Sequence, residues 1–172
     1  MNTDEMYTSM LRFDSPEQEL YLNLWRTFDR LRSLEDEVFA PFGISAQQYN
    51  ALRLLRSVHP GSLPTLTLAA RLISRAPDIT RLVDRLVHRN LVERDRSEVN
   101  RRVVQLRITP AGLAMLSDLS EAVQELHRKQ VGHLTEEERD LLTDLLKHTR
   151  SPHETELSFW KPEPRDSHDA TP

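Results

Sequence analysis

Ten arginines and no lysine stand between residues 64 and 110, set against five acidic side chains. A guanidinium is planar, permanently charged and carries five donors. It therefore suits phosphate oxygens, and it can grip the edge of a guanine through two parallel hydrogen bonds. The rest of the chain is acidic: residues 1–63 hold 6 basic and 9 acidic side chains, 111–150 hold 5 and 8, and 151–172 hold 2 and 5. The net charge of −4 over 172 residues thus conceals a central segment of +5, which fits a polyanion as partner.

Other chemistry has little support. The chain has no cysteine, which removes disulfides, thiol nucleophiles and thiol-based redox sensing. His127 and His133, or His148 and His153, beside Glu125 and Glu137, come nearest to a metal set. Their separations of six and five residues do not place either pair on one helical face, so no zinc or manganese site is expected. His88 and Ser97 come nearest to an enzyme's working groups, yet neither has an orienting partner by spacing, and there is no glycine-rich phosphate loop. Neither an enzyme nor a resident cofactor is expected. Residues 1–15 are polar and acidic, and no run of 18 apolar residues exists, so the expectation is a soluble cytoplasmic protein without membrane partners.

The elements that must position the arginines are mostly helical. Leu20, Leu24, Phe28, Leu31 and Val38 predict a long helix from Glu17 to near Pro41. Ser45 and Gln48 form a capping box for a second helix carrying Leu52, Leu55 and Val58, which His59-Pro60-Gly61-Ser62 stops. A short helix is predicted over 67–73. A further one opens with Pro77 in its first turn, runs to Asn90 and has Ile79, Leu82, Val83, Leu86 and Val87 as its buried stripe. The period then falls to two. Leu91 and Val92, and later Val104, Leu106 and Ile108, predict a hairpin around a charged loop. A helix starting at Thr109 and Pro110 carries Leu113, Leu116, Leu119, Val123 and Leu126. A last one, capped by Thr135 with Glu138, carries Leu141, Leu142, Leu145 and Leu146.

Two helices, a tight connection and a hairpin make a winged helix-turn-helix, whose second helix enters the major groove. Removing the buried stripe of that helix leaves Asp78, Thr80, Arg81, Asp84, Arg85 and His88 facing outward. Arg81 and Arg85 share a face, Arg75 just precedes the helix, and Thr80 can meet a base edge or a thymine methyl. Asp84 is expected to orient Arg81 or Arg85. The hairpin loop, taken as 94–102, adds Arg94, Arg96, Arg101 and Arg102 for the phosphates of the narrow groove. The expected DNA-binding set is Arg75, Asp78, Thr80, Arg81, Arg85, Arg96, Asn100, Arg101 and Arg102. The alternative is a winged-helix protein acting through protein contacts, its arginines paired inside a complex.

The runs Asp78-Ile79-Thr80-Arg81-Leu82-Val83-Asp84-Arg85-Leu86, Asn90-Leu91-Val92-Glu93-Arg94, Arg96-Ser97 and Asn100-Arg101-Arg102, closing on Leu106, Thr109 and Gly112, resemble the MarR family of bacterial transcriptional regulators. With the flanking helices, the resemblance extends over about 17–150. It implies an interlocked helical homodimer on a palindromic operator, with repression relieved by a small ligand, often an aromatic acid or phenol. It also implies that the helix over 77–90 enters the major groove and that Arg101 and Arg102 approach the minor groove. Trp25, Phe28, Tyr49 and Arg53 fall where such a ligand pocket could be lined, though none is assigned to it. The chain departs from the family at Asn90, where glycine is frequent but asparagine, the next-best residue for a left-handed cap, is expected to keep the turn, and at Asn100, where an aspartate usually anchors the wing to an arginine matching Arg94. The expected organisation is a flexible stretch 1–14, one domain 15–150 and a flexible proline-rich acidic tail 151–172. Within the domain, 64–110 form the winged core, while 15–63 and 111–150 contribute dimerisation helices; these are leucine-rich and acidic and bracket the DNA-binding unit.

Overall fold

The Gln18 amide donates to Ser15 Oγ at 3.2 Å and so starts α1 (Pro16–Phe39), with Pro16 placed where a missing N–H leaves nothing unpaired. The structure is a computed structural model and describes residues 13–73, 78–96 and 103–154, the side chain of Arg96 excepted. A 3-10 turn, Ala40–Phe42, and Gly43 at φ 65° lead out of α1. The capping box of α2 (Ala46–Arg56) forms in both directions. Gln48 N–H donates to Ser45 Oγ at 3.3 Å, and Ser45 N–H donates to Gln48 Oε1 at 2.9 Å. Then follow β1 (Leu63–Pro64), α3 (Thr65–Arg71), α4 (Ile79–His88), β2 (Val92–Arg96) and β3 (Val104–Ile108). The chain continues through α5 (Pro110–Asp118), α6 (Ser120–Val131), α7 (Glu136–Arg150) and a 3-10 turn, Ser151–His153. Among the described residues no helix is long and apolar enough to cross a membrane.

The expected fold class holds, a mainly α chain with a small β wing, but four local expectations need correction. The hairpin gains a third strand: β1 pairs antiparallel with β3, Leu63 opposite Leu106, giving the order β1-β3-β2. Two residues ending in proline carry no periodicity, so this strand had no signal in sequence. β2 reaches to Arg96, with Arg94 opposite Leu106 and Arg96 opposite Val104, so residues 94–96 belong to the ladder rather than to the loop. α3 runs over 65–71, not 67–73, because the backbone of Leu72 is already extended. Finally, the helix expected from Pro110 to beyond Leu126 is divided at Leu119, whose backbone keeps helical angles. Its apolar side survives the division: Leu116, Leu119, Val123 and Leu126 are all buried.

One core joins the winged segment 64–110 to α2 before it and to the helices after it. Leu52 and Leu55 of α2, Leu68 of α3, Val83 and Leu86 of α4, Val92 and Leu106 of the sheet, and Leu116 and Leu119 close on one another. α4 ends in a Schellman turn. Asn90, at φ 56°, donates to Val87 O at 2.9 Å, Leu91 N–H donates to Leu86 O at 3.0 Å, and Leu91 and Leu86 are both buried. Asparagine thus supplies the left-handed cap as expected. Thr109 ties this turn to the next helix: its hydroxyl donates to Asn90 O at 2.7 Å and accepts from Gly112 N–H at 3.0 Å. A Cβ on Gly112 would come within 2.4 Å of Leu91 O, so only glycine permits this approach.

At the edge of that core, to which Phe39, Val123 and Leu126 also belong, α1 lies along α6, with Gln130 Nε2 donating to Leu31 O at 3.1 Å. The other face of α1 is bare. Leu20, Tyr21, Trp25 and Phe28 are all exposed, and α7 has no buried residue at all.

Candidate nucleic-acid interface

Asp78 caps α4 by accepting from Arg81 N–H at 2.9 Å, which places the helix start one residue beyond the cap rather than at Pro77. Its carboxylate is thus engaged at the helix end. From this start the buried stripe, Leu82, Val83 and Leu86, turns inward and leaves two rows on the outer side. Arg81 and Arg85 form one row; Thr80, Asp84 and His88 form the other, and all five are exposed.

The arginine row borders a cleft of about 270 Å³, with Ser45, Gln47 and Gln48 at the start of α2 on one wall and Asp78, Arg81 and Arg85 on the other. Among the described residues neither Arg81 nor Arg85 enters an ion pair. A helix face laced with internal Arg–Asp pairs is therefore not what folds here. Two uncompensated guanidinium groups stand four residues apart on one rigid helix, free to accept a polyanion.

Asp84 does not orient Arg81 or Arg85, as the sequence suggested. It accepts instead from Arg94 of β2, Nη1 to Oδ1 at 2.5 Å, while Arg94 Nη2 approaches Thr80 O at 3.4 Å. The reason is topological. Val92 is buried, and two residues along a strand return to the same face, so Arg94 is aimed at α4. That alternation was readable in sequence once β2 was extended past Val92. Arg89 was also missed. Its guanidinium donates to Gly43 O at 2.7 Å and to Phe42 O at 2.9 Å, strapping the far end of α4 to the corner after α1. No local pattern marks a contact between residues so distant in the chain.

Of the expected DNA-binding set, Asp78, Thr80, Arg81 and Arg85 thus lie on one outer side of α4, and the backbone of Arg96 ends β2. Arg75, Asn100, Arg101 and Arg102 lie outside the described residues, as do 1–12 and 155–172. Trp25 and Phe28 project from α1 with 60% exposure each, Arg53 is exposed, and Tyr49 is partly buried with its ring centroid 4.9 Å from that of Phe39. Among the described residues no three His, Asp or Glu side chains gather as a metal would need. One titratable group at the α1–α6 junction is perturbed. Burial pushes the Glu35 carboxyl above its ordinary range and Asp36 adds to this, while His127 and Arg32 oppose it.

A three-stranded wing behind a helix bearing free arginines defines the class: a winged helix-turn-helix DNA-binding protein. The sequence profile of the MarR family matches residues 44–104, from just before α2 to the first residue of β3. A MarR transcription factor from Planctomyces limnophilus is 54% identical, with a TM-score of 0.63, over 80% of this chain and 99% of its own. An Escherichia coli MarR variant solved with operator DNA is 27% identical, with a TM-score of 0.69, over 76% of this chain and 93% of its own. The HTH-type transcriptional regulator MhqR of Bacillus subtilis is 26% identical over 129 residues, covering 75% of this chain and 88% of that protein. The chain belongs to the MarR family, and it is a DNA-binding transcription regulator.

Proposed function

We propose that this regulator binds a palindromic operator as a homodimer and represses transcription until a small effector releases it. The observation that carries the DNA reading is the row Arg81–Arg85, exposed and in no ion pair among the described residues, on a helix whose other side is locked into the core. Arg81 and Arg85 with Thr80 meet base edges in the major groove, Arg75 and Arg96 meet phosphates, and Arg101 and Arg102, with Asn100 beside them, reach the minor groove. Asp78 serves this set by capping the helix that presents it.

The bare apolar faces of α1 and α7 support the dimer. A single winged unit covers one half-site, and a twofold partner supplies the second. In this reading 15–63 and 111–150 hold the two copies together, and 64–110 contact DNA. The effector class proposed is an aromatic acid or phenol, with no resident metal or cofactor.

Fluorescence anisotropy against duplexes selected from genomic fragments tests the groove assignment. Arg81→Ala is expected to cost about 1–3 kcal/mol and to relax selectivity at one position of each half-site. Arg101→Ala is expected to weaken all duplexes nearly alike and to lower the slope of log affinity against log salt by about one. Unchanged binding in both variants overturns the assignment.

A further inference from the structure

Asp84 presents a carboxylate on the same outer side of α4 as the arginines, with its side chain 54% exposed. A bare carboxylate beside phosphates repels DNA, so its presence asks for a reason. The geometry offers one. Arg94 reaches from the first wing strand along the flank of α4 and meets two acceptors on successive turns of the helix, Asp84 Oδ1 at 2.5 Å and Thr80 O at 3.4 Å. Arg94 is itself bound into the ladder opposite Leu106, which is wholly buried. The pair therefore joins two rigid elements, the helix that enters one groove and the strand that leads to the wing. Among the described residues Arg94 has no other carboxylate, and Asn100, at the far side of the wing in sequence, carries no charge to offer it.

We infer that Asp84 and Arg94 are positioning residues for DNA recognition: they set the angle between α4 and the wing so that both meet the duplex at once. The inference rests on the groove assignment proposed above. It reverses two simple electrostatic expectations. Removing Asp84's negative charge should strengthen binding if the residue merely faces DNA, and removing Arg94 should lower the salt slope by about one if it contacts a phosphate.

The test is anisotropy with the full-length protein across a salt series, on Asp84→Asn, Arg94→Gln, the double variant and Asp84→Glu, each with its melting curve. Loss of operator affinity of about fivefold or more is expected in Asp84→Asn, because a charge-assisted hydrogen bond is lost. The salt slope is expected to stay unchanged in Arg94→Gln, the double variant to bind no worse than either single one, and Asp84→Glu to recover most of the loss. Tighter binding by Asp84→Asn, a slope reduced in Arg94→Gln, additive losses, or a loss matching the unfolded fraction overturns the inference. If Arg81→Ala and Arg101→Ala also leave binding intact, it is the groove assignment that fails. If they weaken binding, only the positioning role does.

Discussion

Two amphipathic helices of this chain carry the same kind of apolar stripe and meet opposite fates. On α4, Leu82, Val83 and Leu86 are covered by the chain's own sheet and helices, down to 0% exposure at Val83 and Leu86. On α7, Leu141 and Leu145 stay 62% and 53% exposed, and Leu142 and Leu146 fare little better. A stripe of leucines states that a face must be covered, but not by what. The winged unit is a closed body with its charges turned outward, whereas the helical frame leaves an apolar surface uncovered, the surface assigned above to the proposed second copy. In the proposed dimer, that contrast assigns DNA recognition and assembly to different parts of one short chain.

Breaking the frame should have the largest effect. The double substitution Leu142→Asp and Leu145→Asp is expected to give a monomer in sedimentation and to reduce operator affinity about a hundredfold, since the second half-site is lost. The winged unit should meanwhile keep its helical circular dichroism. Collapse of that signal at low protein concentration would show that the unit does not stand alone.

Breaking the closed body should act differently. Leu86→Ala is expected to destabilise the fold by about 2–5 kcal/mol, through lost burial and the cavity left behind. Denaturant titration at several protein concentrations separates the two regions. The Leu86→Ala deficit should not depend on concentration, whereas any deficit from Leu145→Ala should vanish at concentrations too low for pairing and grow to a plateau as concentration rises. Equal behaviour of the two would erase the distinction between body and frame.

The smallest expected effect lies where the regions join. Because Glu35 has its carboxyl pKa raised on folding, the folded chain binds this proton more tightly than the unfolded one. Its contribution to stability is full below the ordinary carboxylate range and is lost as pH rises through the raised value. Glu35→Gln should therefore raise the melting temperature slightly near neutral pH and make little difference in acid. A penalty at neutral pH would mean that the ionised carboxylate is held by a favourable partner.

Much of this was legible without coordinates. The boxes at Ser45–Gln48 and Thr135–Glu138 formed as their residue types require, because a cap is settled within four residues. Asn90 took the left-handed turn, and Leu116, Leu119, Val123 and Leu126 went inward. Arg81 and Arg85 were found on the exposed side by subtracting the buried stripe. What escaped was whatever joined distant segments: β1 against β3, Arg89 on the carbonyls of Phe42 and Gly43, and Arg94 on Asp84. Asp84 shows the reason well. Sequence neighbours made Arg81 and Arg85 its natural partners, yet the return of the chain through β2 delivered a guanidinium ten residues away at shorter range.

The sequence by itself thus determined the order of elements, their caps, the inward stripes and a basic centre inside an acidic chain, because periodicity and capping act over a turn or two. Only the tertiary structure decided which carboxylate holds which arginine, which arginines stay free for DNA and which leucines remain uncovered. Those depend on how the chain returns upon itself, and a packed core allows each charged group at its edge only the partners that the fold brings within reach.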